Sequence, residues 1–338
     1  MKNLILFLAL ILIVAQGRAQ GTVERIKFKS QALEGNLIGD DPTRDVSIYL
    51  PEGYKDSDTR YPVLFMLHGF TDDDSKWFGH EEHWINLPEL LDQAFEDDQL
   101  SKMIVVMPNA YNRFKGSMYS SSATIGDWET FIANELVAFI DDNYRTIANP
   151  SARGLAGHSM GGYGTIRLAM KRPGVFSAIY LLSPCCMESN VNPNPGLRRN
   201  VEAVQRIDQL EEQPFFVSAT LALSAAWAPN PQNPPFYFDL PFAQEIDRPE
   251  IVAKFQANSI LSMIDQYISH LRDLNAIAHD VGDQDWGISG PSKKLDEILS
   301  AYQIDHYFEI YQGDHVNRIG ERIVNHVLPF FSSHFPGN

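Results

Sequence analysis

The chain has 338 residues, 44% of them hydrophobic, and its 27 Lys and Arg against 43 Asp and Glu leave a net charge of −16. That acidity argues against nucleic acid as a partner, because binding a phosphate backbone needs clustered cations. Past the N-terminus no uncharged stretch is long enough to span a membrane, and the length admits one large α/β domain or two small ones.

Met1-Lys2-Asn3 precedes an apolar run from Leu4 to Ala15 and a small-x-small site, Gly17-Arg18-Ala19, before Gln20. This is the pattern of a secretory signal peptide covering residues 1–19, with an apolar run too short to span a bilayer comfortably. The expectation is an exported mature chain of residues 20–338, periplasmic or extracellular, made more acidic by the loss of Lys2 and Arg18. The two cysteines, Cys185 and Cys186, are adjacent. A bridge between neighbours is strained, so they are expected to be small apolar residues buried just past a strand, and a chain of this size needs no disulfide.

Val23 to Gln31 and Asp45 to Leu50 alternate apolar and polar residues like leading antiparallel strands. Val63-Leu64-Phe65-Met66-Leu67 and Met103-Ile104-Val105-Val106-Met107 are continuous apolar runs of the kind buried on both faces of a parallel sheet. Phe131, Ile132, Leu136, Val137 and Ile140 fall at helical spacing within Asp127 to Tyr144. Further strands are expected at Arg153 to Ala156, Phe176 to Leu182, Leu274 to Val281 and His306 to Tyr311, with a closing helix from Asn317 to Phe331. Strands alternating with helices after an antiparallel start define a mostly parallel α/β sheet covered on both faces, in one domain. Between Ser183 and about Tyr267 far more chain is present than a crossover needs. That stretch is rich in proline and aromatic residues and is read as a cap inserted over the sheet at about 184–267.

The strand at Arg153 runs into Gly157-His158-Ser159-Met160-Gly161 and then a helical pattern ended by Arg172-Pro173-Gly174. A serine at so abrupt a strand-to-helix turn is forced into a strained backbone that lifts its hydroxyl above the sheet, and the helix N-terminus beside it favours an oxyanion. A serine hydroxyl is a poor nucleophile near neutrality, so acyl transfer from Ser159 needs a neighbouring base. Ten histidines are available. In open α/β sheets the site forms beyond the carboxyl ends of the strands, which favours His315, directly after the last strand in Gly313-Asp314-His315, over His306 at its start and His279 within its strand. His158 is expected to turn its side chain away from Ser159. The base needs a carboxylate to fix its tautomer, and Asp280, Asp283 and Asp285 cluster around Gly282. The oxyanion hole is expected from the backbone N–H of Met160 and that of Phe70, in the His68-Gly69-Phe70 loop after the first buried strand. This chemistry requires no cofactor.

Two other clusters look like metal sites. His80-Glu81-Glu82-His83 has the wrong spacing for a zinc helix, and Asp72-Asp73-Asp74 lacks the spaced ligands of a calcium loop and is expected to be a solvated acidic turn. No metal is expected.

Taken together, Leu67-His68-Gly69 with Trp77 after it, Asp127-Trp128, Tyr144-Arg145-Thr146, Gly157-His158-Ser159-Met160-Gly161-Gly162-Tyr163-Gly164, Gly282-x-x-Asp285 and Gly313-Asp314-His315 resemble the esterase D-type esterase family. That group of α/β-hydrolases includes feruloyl and acetylxylan esterases, S-formylglutathione hydrolases and antigen 85-like mycolyltransferases. The resemblance covers nearly the whole mature chain except the insertion. It implies an α/β-hydrolase fold and a Ser159, Asp285, His315 triad, with Asp285 at the fourth position of Gly-x-x-Asp. Asp283, on the bend itself, is the competing acid and is otherwise suited to hold the loop.

The leading expectation is a secreted serine esterase acting on a small or carbohydrate-linked ester. An acyltransferase with the same triad and a non-catalytic binding protein of hydrolase fold are the alternatives. Ala219 to Ala226 reads as a short helix, and the aromatic residues after it divide between cap core and substrate wall. Trp227, Phe236 and Tyr237 are the expected wall of an acyl or aglycone pocket.

Overall fold

The computed structural model describes residues 20–96, 99–189, 193–244 and 246–336; the expected signal peptide lies outside them. β1 (Thr22–Lys29) and β2 (Thr43–Leu50) pair antiparallel, from Thr22 opposite Leu50 to Lys29 opposite Thr43. The strands that follow are β3 (Val63–Leu67), β4 (Ile104–Pro108), β5 (Arg153–His158), β6 (Ala178–Leu182), β7 (Ala276–Gly282) and β8 (Tyr307–Tyr311). They form an eight-stranded sheet in the order β1-β2-β4-β3-β5-β6-β7-β8. β2 meets β4 antiparallel, and every pairing from β4 through β3 to β8 is parallel. Every residue of β3, β4, β5 and β6 is buried, the reason β3 and β4 read as unbroken apolar runs.

Helices cover both faces. α1 (Asp74–Trp77) and α2 (Leu87–Phe95) follow β3. α3 (Trp128–Thr130) continues through a π turn at Phe131–Leu136 into α4 (Val137–Asn143). α5 (Met160–Lys171) follows β5; α6 (Pro195–Glu202), α7 (Phe215–Trp227), α8 (Pro249–Gln256) and α9 (Ile260–Arg272) lie between β6 and β7; and α10 (Ser289–Ala301) leads to β8. The chain closes with α11 (Ile319–Arg322), a π turn at Ile323–Val327 and α12 (Leu328–His334). One core packs Ile132, Ile166, Met170 and Ile264 against the sheet, and the other packs Leu91, Ile323 and Phe331 against its opposite face. The expected mostly parallel sheet with helices on both faces is the architecture observed.

Several local expectations change. The boundary near 267 falls inside α9, which packs on α5 as the crossover helix, so the excess segment ends at Ser259. That segment is tied to the body by Ser122 Oγ donating to the Ala225 carbonyl (2.7 Å) and Tyr163 Oη donating to the Asn258 carbonyl (2.8 Å). The acidic run 72–74 is not a solvated turn. Asp72 accepts from Trp77 Nε1 (3.0 Å), Asp73 caps α1, and Asp74 is fully buried against Arg25 (2.9 Å) and Ser47 (2.6 Å). Cys185 and Cys186 are half-buried free thiols.

His279 lies in β7 with no exposed surface, stacked on Phe308 at 4.4 Å between ring centroids, and neither ring nitrogen has a hydrogen-bond partner among the described residues. Burial pulls its pKa down to about 3. As pH falls below the ordinary histidine value, the unfolded chain therefore takes up this proton before the folded one does, and stability present above about pH 6.5 is progressively lost toward pH 3. Between pH 7.5 and 5.5, urea unfolding should show the wild-type chain losing about 1.4 kcal/mol more than His279→Leu; parallel profiles would show that this ring is not a proton sink.

Candidate active site

Ser159 sits between β5 and α5 at φ 56° and ψ −114°, a conformation that aims its side chain out of the turn. Three backbone bonds pin it: its N–H donates to the Leu182 carbonyl (3.0 Å), and its carbonyl accepts from Tyr163 N–H (3.0 Å) and Cys185 N–H (3.1 Å). A Cβ on Gly161 would lie 2.0 Å from the Leu67 carbonyl oxygen, so only glycine lets α5 begin this close to β3.

His315 lies four residues past the end of β8. Its Nε2 is 2.9 Å from Ser159 Oγ, and its Nδ1 is 2.7 Å from Oδ2 of the buried Asp285. With Nδ1–H donating to the carboxylate, Nε2 carries a lone pair toward the serine hydroxyl, the arrangement of a general base and its orienting acid. Asp283 takes a different place: its Oδ1 accepts from Gly313 N–H (3.0 Å), while its own N–H donates to the Tyr311 carbonyl (2.8 Å). It binds the two loops that carry Asp285 and His315 to each other.

His158 does not turn away from the site. Its ring stands 4.7 Å from that of His315 between centroids, and its Nε2–H donates to the His315 carbonyl (2.8 Å). Complete burial, with the neighbouring His315 adding to it, lowers its pKa to about 3, so it holds the His315 backbone as a neutral ring. This contact runs between residues 157 positions apart, and nothing local in the sequence signals it.

The loop after β3 approaches the same point. A Cβ on Gly69 would lie 3.5 Å from Ser159 Cβ, and one on Gly116 would meet both the Phe70 ring (2.5 Å) and Met160 Sδ (2.7 Å). The Phe70 ring and the Met160 thioether thus both close on Gly116. His68 locks this loop: Nδ1–H donates to the Gly69 carbonyl (2.8 Å) and Nε2 accepts from Ala110 N–H (2.8 Å). Tyr119 Oη donates to the His68 carbonyl (3.0 Å), and burial raises that phenol's pKa well above its ordinary value.

The expected aromatic wall divides. Trp227 is buried against Tyr163 (5.6 Å between centroids) and Phe255 (5.5 Å) and faces a cavity of about 270 Å3 that Cys186 also lines. Phe236 stacks on Phe238 (5.6 Å) and faces a separate cleft of about 380 Å3 between the proline loop and α6. The Tyr237 backbone fastens that loop, accepting from Asn230 N–H and donating to the Asn233 carbonyl. The three residues therefore form no common wall, because α7 stands between the two clefts. Sequence reasoning missed Phe215 and Phe216, which open α7. Phe215 packs edge-on against Phe70 at 5.5 Å, and Phe216 is 71% exposed. Exposed Trp84 packs against His158 at 6.0 Å. Helix propensity extends the short helix expected at Ala219 back to Pro214, the position from which these rings could have been placed. Among the described residues no group of histidine, cysteine or carboxylate side chains is disposed to hold a metal, and His83 instead meets Asp72 at 3.3 Å.

A sheet of this order, with a serine at the turn after its fifth strand and acid and base after its seventh and eighth, defines an α/β-hydrolase. The chain belongs to the esterase family whose model, described as "Putative esterase", matches residues 40–319. An endo-1,4-beta-xylanase/feruloyl esterase of Xylanibacter ruminicola is 31% identical over 169 residues, covering 48% of this chain and 22% of that protein. An esterase of Mycobacterium tuberculosis is 30% identical over 178 residues, covering 50% of this chain and 36% of that protein. The matched region spans well under half the length of either relative. Among solved structures, a ferulic acid esterase superposes with a TM-score of 0.65 at 20% identity, covering 94% of this chain and 99% of that one. An S-formylglutathione hydrolase of Staphylococcus aureus gives 0.60 at 16%, covering 92% and 99%. At such identities the likeness is one of fold.

The two aspartates separate in a kinetic test. Asp285→Asn should lower kcat by about 10⁴, as loss of a triad carboxylate does, while Asp283→Asn, whose amide oxygen still accepts from Gly313 N–H and loses only the carboxylate's charge, should stay within about tenfold. The reverse ranking would move the acid to Asp283.

Proposed function

We propose that this chain is a serine carboxylic ester hydrolase that works through an acyl-enzyme on Ser159 and is exported from the cell. One observation carries the reading: the unbroken line from Asp285 through His315 to a hydroxyl presented at a left-handed backbone position.

In this mechanism Ser159 Oγ attacks the ester carbonyl while His315 Nε2 accepts its proton, and Asp285 stabilises the imidazolium that forms. The tetrahedral oxyanion lies between the backbone N–H groups of Met160 and Phe70. The first stands at the start of α5, where the helix dipole favours negative charge, and each such donor is worth about 3 kcal/mol of transition-state stabilisation. His315 then gives its proton to the departing alcohol. Water enters along the same line, and the steps reverse to release the acid. The names of the relatives favour feruloyl and related carbohydrate-linked esters as substrates. The segment between β6 and α9 is the natural cap over that site. Export rests on the N-terminal pattern of a short apolar run followed by Gly17-Arg18-Ala19.

Incubation with a fluorophosphonate followed by mass spectrometry should add one phosphonyl group per chain, on the peptide containing Ser159, and Ser159→Ala should add none. An unlabelled wild-type chain would favour a binding protein of hydrolase fold. Hydrolysis in the presence of added methanol should yield mainly free acid; mainly methyl ester would identify an acyltransferase.

A further inference from the structure

Lys115 sits where the segment between β6 and α9 meets the loop after β3. It lies in a turn built by Asn112, whose Oδ1 accepts from Phe114 N–H (2.9 Å) and Gly116 N–H (3.2 Å), and its own φ is 67°. A glycine takes that left-handed conformation freely, whereas a lysine takes it under strain. Strain of this kind persists only where the surroundings hold the residue in place, and here both its backbone and its side chain are engaged.

The backbone reaches the loop after β3. The Lys115 carbonyl accepts from Thr71 N–H (3.0 Å), which fixes the plane of the peptide joining Phe70 to Thr71. The preceding peptide, joining Gly69 to Phe70, is held at the Gly69 carbonyl by His68 Nδ1–H (2.8 Å) and Asp72 N–H (3.3 Å). The direction of the Phe70 N–H is therefore set by His68 from one side and by Lys115 from the other. The side chain reaches the cap instead. Its Nζ donates to the carbonyls of Glu211 (2.7 Å) and Gln213 (3.2 Å), in the turn that leads into α7. Phe215, the first residue of α7, then lays its ring edge-on against Phe70. Cap and loop are thus joined twice within a few residues, once by an ammonium and once by two rings.

We propose that Lys115 is a positioning residue for the oxyanion hole: its ammonium seats the entry of α7, and through its carbonyl that seating holds the Phe70 N–H in line with the developing oxyanion. The proposal rests on the esterase reading of Ser159. Without the ammonium the turn loses both cap bonds, and the loop can turn the donor aside. A hydrogen bond weakens steeply as it departs from line. The uncharged ester oxygen gains little from that donor and the oxyanion gains much, so the loss falls on the transition state. A second tie of the same helix supplies the comparison. Ser122 Oγ donates to the Ala225 carbonyl toward the other end of α7, away from Phe215 and its contact with Phe70.

The test uses Lys115→Met, which keeps an unbranched side chain and removes its charge and donors, with Lys115→Arg and Ser122→Ala beside it. Lys115→Met should lower kcat/KM for p-nitrophenyl acetate about tenfold, a part of the roughly 10²–10³ that loss of a whole oxyanion donor costs. It should raise by the same factor the inhibition constant of trifluoromethyl propyl ketone, which adds to the serine as a tetrahedral oxyanion. That constant does not depend on how much of the chain is folded, so lost stability alone leaves it unmoved. Lys115→Arg, which still donates to both carbonyls, should bring both values to within about threefold of wild type. Ser122→Ala should also stay within about threefold. An unchanged inhibition constant in Lys115→Met, no recovery in Lys115→Arg, or an equal rise in Ser122→Ala would overturn the proposal. Fluorophosphonate labelling of the wild-type chain tells the two readings apart. A chain labelled on Ser159 whose Lys115→Met variant keeps its inhibition constant remains an esterase and loses only the positioning role. A chain that is neither labelled nor active on the acetate loses the esterase reading and the positioning role with it.

Discussion

The close approach of α5 to β3 is the constraint on which the rest of the site depends. A Cβ on Gly157 would lie 2.3 Å from the Gly161 carbonyl carbon, and one on Gly161 would lie 2.0 Å from the Leu67 oxygen. Strand, helix and neighbouring strand therefore meet without side chains between them, and the chain can turn from one to the other only through a strained residue. Ser159 takes that strain, at a cost of about 1–3 kcal/mol, against three backbone bonds that hold it. The same contact brings Leu67, and with it His68-Gly69-Phe70, to the helix N-terminus. Ser159 and the two backbone N–H groups proposed as oxyanion donors are thus positioned by one packing event.

The other half of the site hangs on the far end of the sheet. Asp285 and His315 leave adjacent parallel strands, and their loops are closed against each other by Asp283 and by Gln284 N–H donating to the Gly313 carbonyl (2.9 Å). Beneath them Asp280 accepts from Tyr180 Oη (2.8 Å) and Arg322 Nε (2.8 Å), and Arg322 also reaches Glu309 (2.7 Å). Burial pushes the Asp280 carboxyl up to about 6 against the opposing pull of Arg322. A buried pair of this kind adds little net stability. What it does is fix β7, β8 and α11 relative to one another, and so fix the distance between acid and base. His158 closes the circuit from the serine side by holding the His315 carbonyl.

The fold was legible in the sequence because a doubly covered parallel sheet writes central strands such as β3 and β4 as apolar runs, and these strands are buried on every residue. Ser159, His315 and Asp285 could be proposed as a set because a nucleophile, a base and an acid are restricted to few residue types and must follow strands, and the structure brings the three within hydrogen-bond reach. What could not be read were contacts between distant segments. The run Asp72-Asp73-Asp74 looks solvated until Arg25 of β1 and Ser47 of β2 are seen to cover Asp74. Trp227, Phe236 and Tyr237 look like one aromatic wall, because their spacing cannot show that Trp227 and Phe236 face two separate clefts and Tyr237 lines neither. Phe215 and Phe216, legible only as part of the insertion, could not be given a place because they open a helix that is apolar nearly all round, where periodicity does not distinguish the face turned toward Phe70.

The central claim is that Ser159 becomes acylated along the line from Asp285 through His315. Its most direct measurement is peptide mass spectrometry of the protein quenched in acid during turnover of p-nitrophenyl butyrate. The account predicts a butyryl group on the peptide that contains Ser159, absent from Ser159→Ala and accumulating when deacylation is slowed at low temperature. Consumption of the ester with Ser159 unmodified throughout, or with the butyryl group on another residue, would contradict it.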